Sequence, residues 1–154
     1  MLNSRQGPAA RPVTERPAPG AANRICDDPL MEMSLRFEIF PADLDAIADF
    51  YTRVLRFSVT KDQRLDPAAY VSMKRGTVQV GAARRSVPGA HAVRRPPAGV
   101  ELVLEVDDVT GERDQVVAAG WPLETDLQKR PWGLTDFRIT DPAGYYLRIT
   151  GRTA

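Results

Sequence analysis

The chain has 154 residues, 27% of them charged and 43% hydrophobic, with formal net charge +1. That length suits one domain with a real core, while the near-neutral balance excludes the electrostatic footprint of a nucleic-acid binder. No apolar run approaches the ~20 residues that cross a bilayer; the single Cys26 makes no internal disulfide, and the single His91 excludes a multi-histidine metal site within one chain.

The composition is uneven. Pro8, Pro12, Pro17, Pro19 and Pro29 fall in residues 1–32 among alanine, arginine and polar residues, with no helical or alternating pattern. A stretch so poor in large apolar side chains does not offset its ordering entropy, so residues 1–32 read as a disordered tail. The run MLNSRQGPAARPVTERPAPGAANR lacks the apolar segment of a secretory signal. Its arginines suit a transit peptide, but its prolines break the amphipathic helix such a peptide needs. Met31 and Met33 stand directly before the first patterned strand, so a tail created by start-site choice is the alternative. The whole reads as a cytoplasmic protein with no membrane partner.

From Met33 the text becomes regular. Leu35, Phe37 and Ile39 alternate with Arg36, Glu38 and Phe40, which predicts a strand ended by Pro41. Asp43 stands at an N-cap, followed at helical spacing by Leu44, Ile47, Tyr51, Val54 and Leu55. Strands follow over Phe57–Thr60, Ala69–Lys74 and Thr77–Ala82, the last two joined by the turn Arg75-Gly76. The order then repeats. A strand over residues 101–106 precedes a helix capped by Asp108 and stopped by Gly120. Strands over Pro122–Thr125, Thr135–Thr140 and Tyr145–Thr150 complete the set, with Asp141-Pro142-Ala143-Gly144 as the last turn.

Asp43 laid over Asp108 places Arg36 on Glu101, and Gly76 laid over Gly144 leaves a difference of only a few loop residues. The chain is therefore a duplicated β-α-β-β-β unit. The fold class is α+β: two tandem modules forming a curved eight-stranded mixed sheet with the helices on one face. A single domain spans residues 33–152, with module one at 33–84, a linker at 85–99 and module two at 100–152. Alternation puts Leu35, Phe37, Ile39, Leu102, Leu104, Val106, Phe137, Ile139, Tyr145, Leu147 and Ile149 under the helices. The opposite face carries Arg36, Glu38, Phe40, Glu101, Val103, Glu105, Asp136, Arg138, Tyr146, Arg148 and Thr150, and with them most of the charge.

Three stretches carry a family resemblance: DLDAIADFYTRVLRF at Asp43–Phe57, VDDVTGERDQVVAAGW at Val106–Trp121 and RPWGLTDFRITDPAGYYLRIT at Arg130–Thr150. Together with the paired module they resemble the vicinal oxygen chelate superfamily of glyoxalases, bleomycin-resistance proteins and extradiol dioxygenases. The tryptophan-glycine before the late turn is most similar to the bleomycin-resistance branch. Metal-using members place ligands on the first and last strands of each module. The resemblance puts those points here at Arg36, Val80, Glu101 and Arg148. Of these only Glu101 offers a lone pair to a divalent ion, since guanidinium groups are permanently cationic.

The resemblance therefore implies a metal-independent protein, with no cofactor and no catalytic residue, that sequesters a small molecule in a groove on the concave face. Arg36, Glu38, Phe40, Glu101, Trp132 and Arg148 are its ligand-binding candidates, and the family's usual homodimer its assembly. Arg36, Glu101 and Arg148 form either a salt-bridge network holding the modules in register or a site whose spare guanidinium holds an anionic group. Trp132 is either an aromatic wall for a flat ligand or a cover for a strand edge or dimer contact. Trp121 is core or edge packing. The connector from Arg84 to Gly99, with Arg84, Arg85, His91, Arg94 and Arg95, is either a lid or solvated chain, and His91 has no catalytic partner beside it. A metal-dependent lyase, isomerase or dioxygenase is the alternative, and a protein-binding scaffold the third reading.

Overall fold

The computed structural model describes residues 34–67, 69–84 and 101–152. The proline-rich tail with Cys26 and the whole linker at 85–99 with His91 lie outside them. The chain divides into two units, residues 1–34 and 35–154, and every element below belongs to the second.

Among the described residues, eight strands and two helices stand in the expected order. They are β1 (Arg36–Ile39), α1 (Leu44–Asp49), β2 (Ser58–Gln63), β3 (Tyr70–Arg75), β4 (Val78–Ala83), β5 (Leu102–Val106), α2 (Val109–Ala118), β6 (Thr125–Lys129), β7 (Thr135–Thr140) and β8 (Tyr146–Gly151). They form two four-stranded mixed sheets, ordered β1-β4-β3-β2 and β5-β8-β7-β6. In each the first strand runs parallel to the last and the rest are antiparallel. The duplication is thus repeated in hydrogen bonding as well as in order.

Both helices start as the sequence predicts. The Asp43 carboxylate accepts from the amides of Asp45 and Ala46 at 2.9 and 3.0 Å. The Asp108 carboxylate accepts from Gly111 at 2.8 Å. These contacts satisfy helix amides that have no partner of their own. Gly120, at φ 74°, supplies the left-handed residue past the end of α2. The first helix differs from expectation in that α1 widens into a π-helical turn over Phe50–Val54. The extra residue in that turn lets Phe50, Tyr51, Val54 and Leu55 all enter the core.

The core joins the two modules. Phe50 meets Tyr51 edge-on at 5.2 Å and Trp121, from the second module, at 4.7 Å. Trp121 Nε1 donates to the Thr140 carbonyl at 2.9 Å, so the indole is packed and satisfied together. The Tyr51 hydroxyl donates to Asp141 at 3.4 Å. Burial first, and then the Asp141 carboxylate, push that hydroxyl's pKa well above its ordinary value and keep it protonated. Across the fold, the buried Glu112 carboxylate takes two bonds from Arg75, at 2.6 and 2.8 Å, and Arg75 also donates to the Leu55 carbonyl at 2.8 Å. The offset that superposes the two helix caps lays Glu112 on Ile47, so one module seals with a carboxylate where the other uses an alkyl group. A recess of about 240 Å³ opens beside this ion pair, lined by Phe57, Val78, Leu104, Val106 and Ile149. Among the described residues, no helix is long and apolar enough to cross a membrane.

Two sequence expectations shift. Leu35 precedes β1 and is 82% exposed rather than covered by a helix, because pairing with β4 begins only at Arg36. The strand expected at Pro122–Thr125 lies instead at Thr125–Lys129. Pro122 has no amide to donate to a ladder, and the first hydrogen bond toward β7 comes from Glu124, to the Arg138 carbonyl at 2.8 Å. Arg113 on α2 then grips Asp126 through two bonds of 2.8 and 2.6 Å, tying the helix to β6.

Glu112→Gln should cost about 2–3 kcal/mol in urea unfolding. That is below the ~3–5 kcal/mol of a fully buried broken pair because Arg75 is 36% exposed. The double variant Arg75→Met/Glu112→Leu should unfold at or above the wild-type midpoint. A double variant as unstable as the single one would mean that the pair itself holds the seam.

Candidate functional site

The helix-free faces of the two sheets carry the candidates. In the first module Arg36 and Glu38 point away from the core that holds Ile39, and they bind each other, Nε to Oε1 at 2.7 Å. The Tyr70 hydroxyl lies 3.4 Å from the same carboxylate oxygen. The carboxylate folds flat over Gly81, so a Cβ on that residue would collide with it. Phe40, just past β1, donates its amide to the Tyr145 hydroxyl at 3.2 Å and so bridges the modules.

Val80 does not share this face. It is fully buried in the core, in register with Phe37, whereas Arg36 and Glu38 face Gln79 and Gly81. The reason is turn parity. Two residues, Gly76 and Thr77, join β3 to β4, whereas five, Asp141–Tyr145, join β7 to β8. An odd difference in turn length slips the following strand by one position and turns every side chain over. The position matching Arg148 by face is therefore Gly81.

In the second module the open face is a charged lattice. Register places Asp136 opposite Thr150, Arg138 opposite Arg148 and Thr140 opposite Tyr146. Arg148 reaches Glu101, Nη1 to Oε2 at 3.3 Å, with both side chains about one-quarter exposed. Asp136 is 1% exposed because Arg130 folds over it, with bonds of 2.9 and 2.6 Å to one carboxylate oxygen and 2.9 Å to the other. Arg138 approaches Asp136 only to 3.8 Å. Its Nη1 instead donates to the Tyr146 hydroxyl at 3.2 Å, with its guanidinium 5.8 Å from that ring's centre. Among the described residues, Arg138 Nε and Arg148 Nε are shielded from solvent and have no hydrogen-bond acceptor.

Within the set Arg36, Glu101 and Arg148, Glu101 neutralises one of the two arginines, and among the described residues Arg36 makes no ion pair with either of the other two. Arg36 pairs with its strand neighbour Glu38, and Glu101 pairs with Arg148. Trp132 sits in the β6–β7 turn at 59% exposure, two residues beyond Arg130. Alternation placed Asp136 and Arg138 on this face without marking them as site residues, whereas Tyr146 was expected there as apolar lining. Arg130 left no signal, because it approaches from a loop.

The family resemblance implies a divalent metal in some members, and the donors here do not fit one. The four points by face are Arg36, Gly81, Glu101 and Arg148. A guanidinium has no lone pair to give, and glycine has no side chain. Among the described residues no group of three histidine, cysteine, aspartate or glutamate side chains converges, whereas zinc-type sites take at least three protein ligands.

A family model described as Glyoxalase/Bleomycin resistance protein/Dioxygenase superfamily matches residues 34–149. The fold is similar to that of TioX from Micromonospora sp. ML1, with 23% identity over 79% of this chain and 100% of that one, and a TM-score of 0.64. It is also similar to a superfamily member from Sphaerobacter thermophilus DSM 20745, with 22% identity over 80% and 99% of the two chains and a TM-score of 0.60. Lactoylglutathione lyase from Agrobacterium tumefaciens aligns with 21% identity over 80% and 96%, and a TM-score of 0.58. At these identities the likeness is one of fold. No curated protein matches the chain in sequence.

Asp136→Ala should destabilise the protein by about 3–5 kcal/mol in chemical denaturation, because it removes the buried partner of Arg130. Glu101→Gln should cost under about 1 kcal/mol, its pair being longer and partly solvated. Equal losses from the two changes would contradict this division of the lattice into a supporting pair and a working pair.

Proposed function

We propose that this chain, which belongs to the Glyoxalase/Bleomycin resistance protein/Dioxygenase superfamily, is a metal-independent small-molecule-binding protein. Its ligand is held on the helix-free face of the sheets, in the manner of the bleomycin-resistance branch. One observation carries the reading: guanidinium groups occupy two of the positions where metal-using relatives need lone pairs. A cation at that place would face Arg36 and Arg148, each held by a single carboxylate. The same groups suit a ligand that accepts hydrogen bonds and carries negative charge. Arg36, Glu38 and Phe40 line the first-module side, and Glu101 and Arg148 the second. Trp132 is the exposed aromatic side chain for a flat ligand to stack on.

The proposal includes a homodimer, with each groove completed by both chains and the exposed Trp132 at their contact. Sedimentation should then give the mass of two chains.

The primary test joins elemental analysis to a thermal-shift screen. Purified protein should carry no stoichiometric zinc, manganese, iron or nickel. None of these ions should raise its Tm, and at least one small organic acid should. Arg148→Ala should abolish that ligand-induced shift while leaving the ligand-free Tm nearly unchanged. One equivalent of a bound transition metal would overturn the proposal in favour of a metal-dependent lyase, isomerase or dioxygenase. A broad screen with no hit would favour a protein-binding scaffold.

A further inference from the structure

We infer that Arg138 and Arg148 together form the anchor for the carboxylate of a small aromatic acid. The inference rests on the small-molecule reading above and names the chemical class of the ligand. It starts from register. β7 and β8 place these two guanidinium groups directly opposite each other on the open face, and like charges in directly opposed positions destabilise a sheet. A sheet with no further duty would pair an arginine with a carboxylate there.

The charges around the pair do not remove the conflict. Arg148 has Glu101 at 3.3 Å. Asp136 has three contacts of 2.6–2.9 Å from Arg130 and stays 3.8 Å from Arg138. Glu105, the remaining acid of this face, makes no ion pair with the described residues. Arg138 is thus the guanidinium whose nearest carboxylate, Asp136, is shared with a more tightly bound arginine and lies beyond hydrogen-bond distance. Its hydrogen bond goes to a neutral acceptor, the Tyr146 hydroxyl at 3.2 Å, which leaves the tyrosine O–H free to donate.

The donors repeat the pattern. Arg138 and Arg148 each have a solvent-shielded Nε–H with no acceptor, and a polar group in that condition calls for a cause. A carboxylate set between the two guanidinium groups supplies two oxygens, each able to accept from one arginine, with Tyr146 donating to either. Such charge-assisted bonds are the strong ones. The flat, two-oxygen carboxylate matches the two planar guanidinium groups set opposite each other. The Tyr146 ring beside Arg138 and the exposed Trp132 in the adjoining turn give a flat apolar body surfaces to lie on.

The test uses the full-length protein and three probes: 1-naphthoate, its neutral amide 1-naphthamide and inorganic phosphate, each titrated by calorimetry. Naphthoate should bind at least tenfold more tightly than naphthamide, and phosphate should not displace it. Arg138→Gln should weaken naphthoate at least tenfold and should melt at or above the wild-type Tm, because it relieves the like-charge pair while Arg130 still holds Asp136. Equal binding of the amide and the acid would overturn the anchor yet leave a small-molecule groove in place. Phosphate competing as well as naphthoate would overturn the choice of a monocarboxylate. Binding of neither aromatic probe, or a clear loss of Tm in Arg138→Gln, would return the arginine pair to a purely structural role, whatever the wider ligand screen finds.

Discussion

Each module is built on one parallel pairing, of β1 with β4 and of β5 with β8. That pairing sets which side chains lie under the helices. Once Phe37 faces Val80 and Leu102 faces Leu147, period two sends Arg36, Glu38, Val103 and Arg148 to the other face. The apolar set then closes over Phe50, Tyr51 and Phe137. A charged set is left on a surface that neither α1 nor α2 covers. Both the core and the candidate site follow from the same register, so neither can move without the other.

Much of this was legible in the sequence because it depends on local chemistry. Asp43 and Asp108 could be read as caps because a carboxylate before an apolar stripe has one obvious task. The duplication was visible in the recurrence of strand, cap, helix and three strands. What alternation cannot supply is the pairing between strands. Val80 was placed one position off because the β3–β4 and β7–β8 turns differ by an odd number of residues. The opposition of Arg138 and Arg148 was hidden for the same reason, since a five-residue turn does not announce its register. Arg130 was out of reach altogether: it lies outside any alternating stretch, yet it neutralises the most buried carboxylate of the open face.

The two modules share a plan but not a chemistry. At the seam, one helix buries Ile47 where the other buries Glu112 against Arg75. On the open face, the first module closes its charges within one strand, Arg36 on Glu38 over Gly81. The second spreads three arginines over two carboxylates. The two faces are equivalent by position, yet in one the charges close into a single pair while in the other Arg138 meets its nearest carboxylate only at 3.8 Å. Under the proposed reading, guanidinium groups at this place exchange a cation site for one that takes an anion. The scaffold needs no change to make that exchange, because the positions project from strands whose opposite faces hold the core.

The central claim is that the open face is read through arginine rather than through metal. A proton–nitrogen spectrum of the arginine side chains tests it most directly, recorded on the protein alone, with zinc, and with 1-naphthoate. The account predicts that naphthoate moves the Nε–H resonances of Arg138 and Arg148 while zinc leaves them in place. Movement with zinc and none with naphthoate would contradict it.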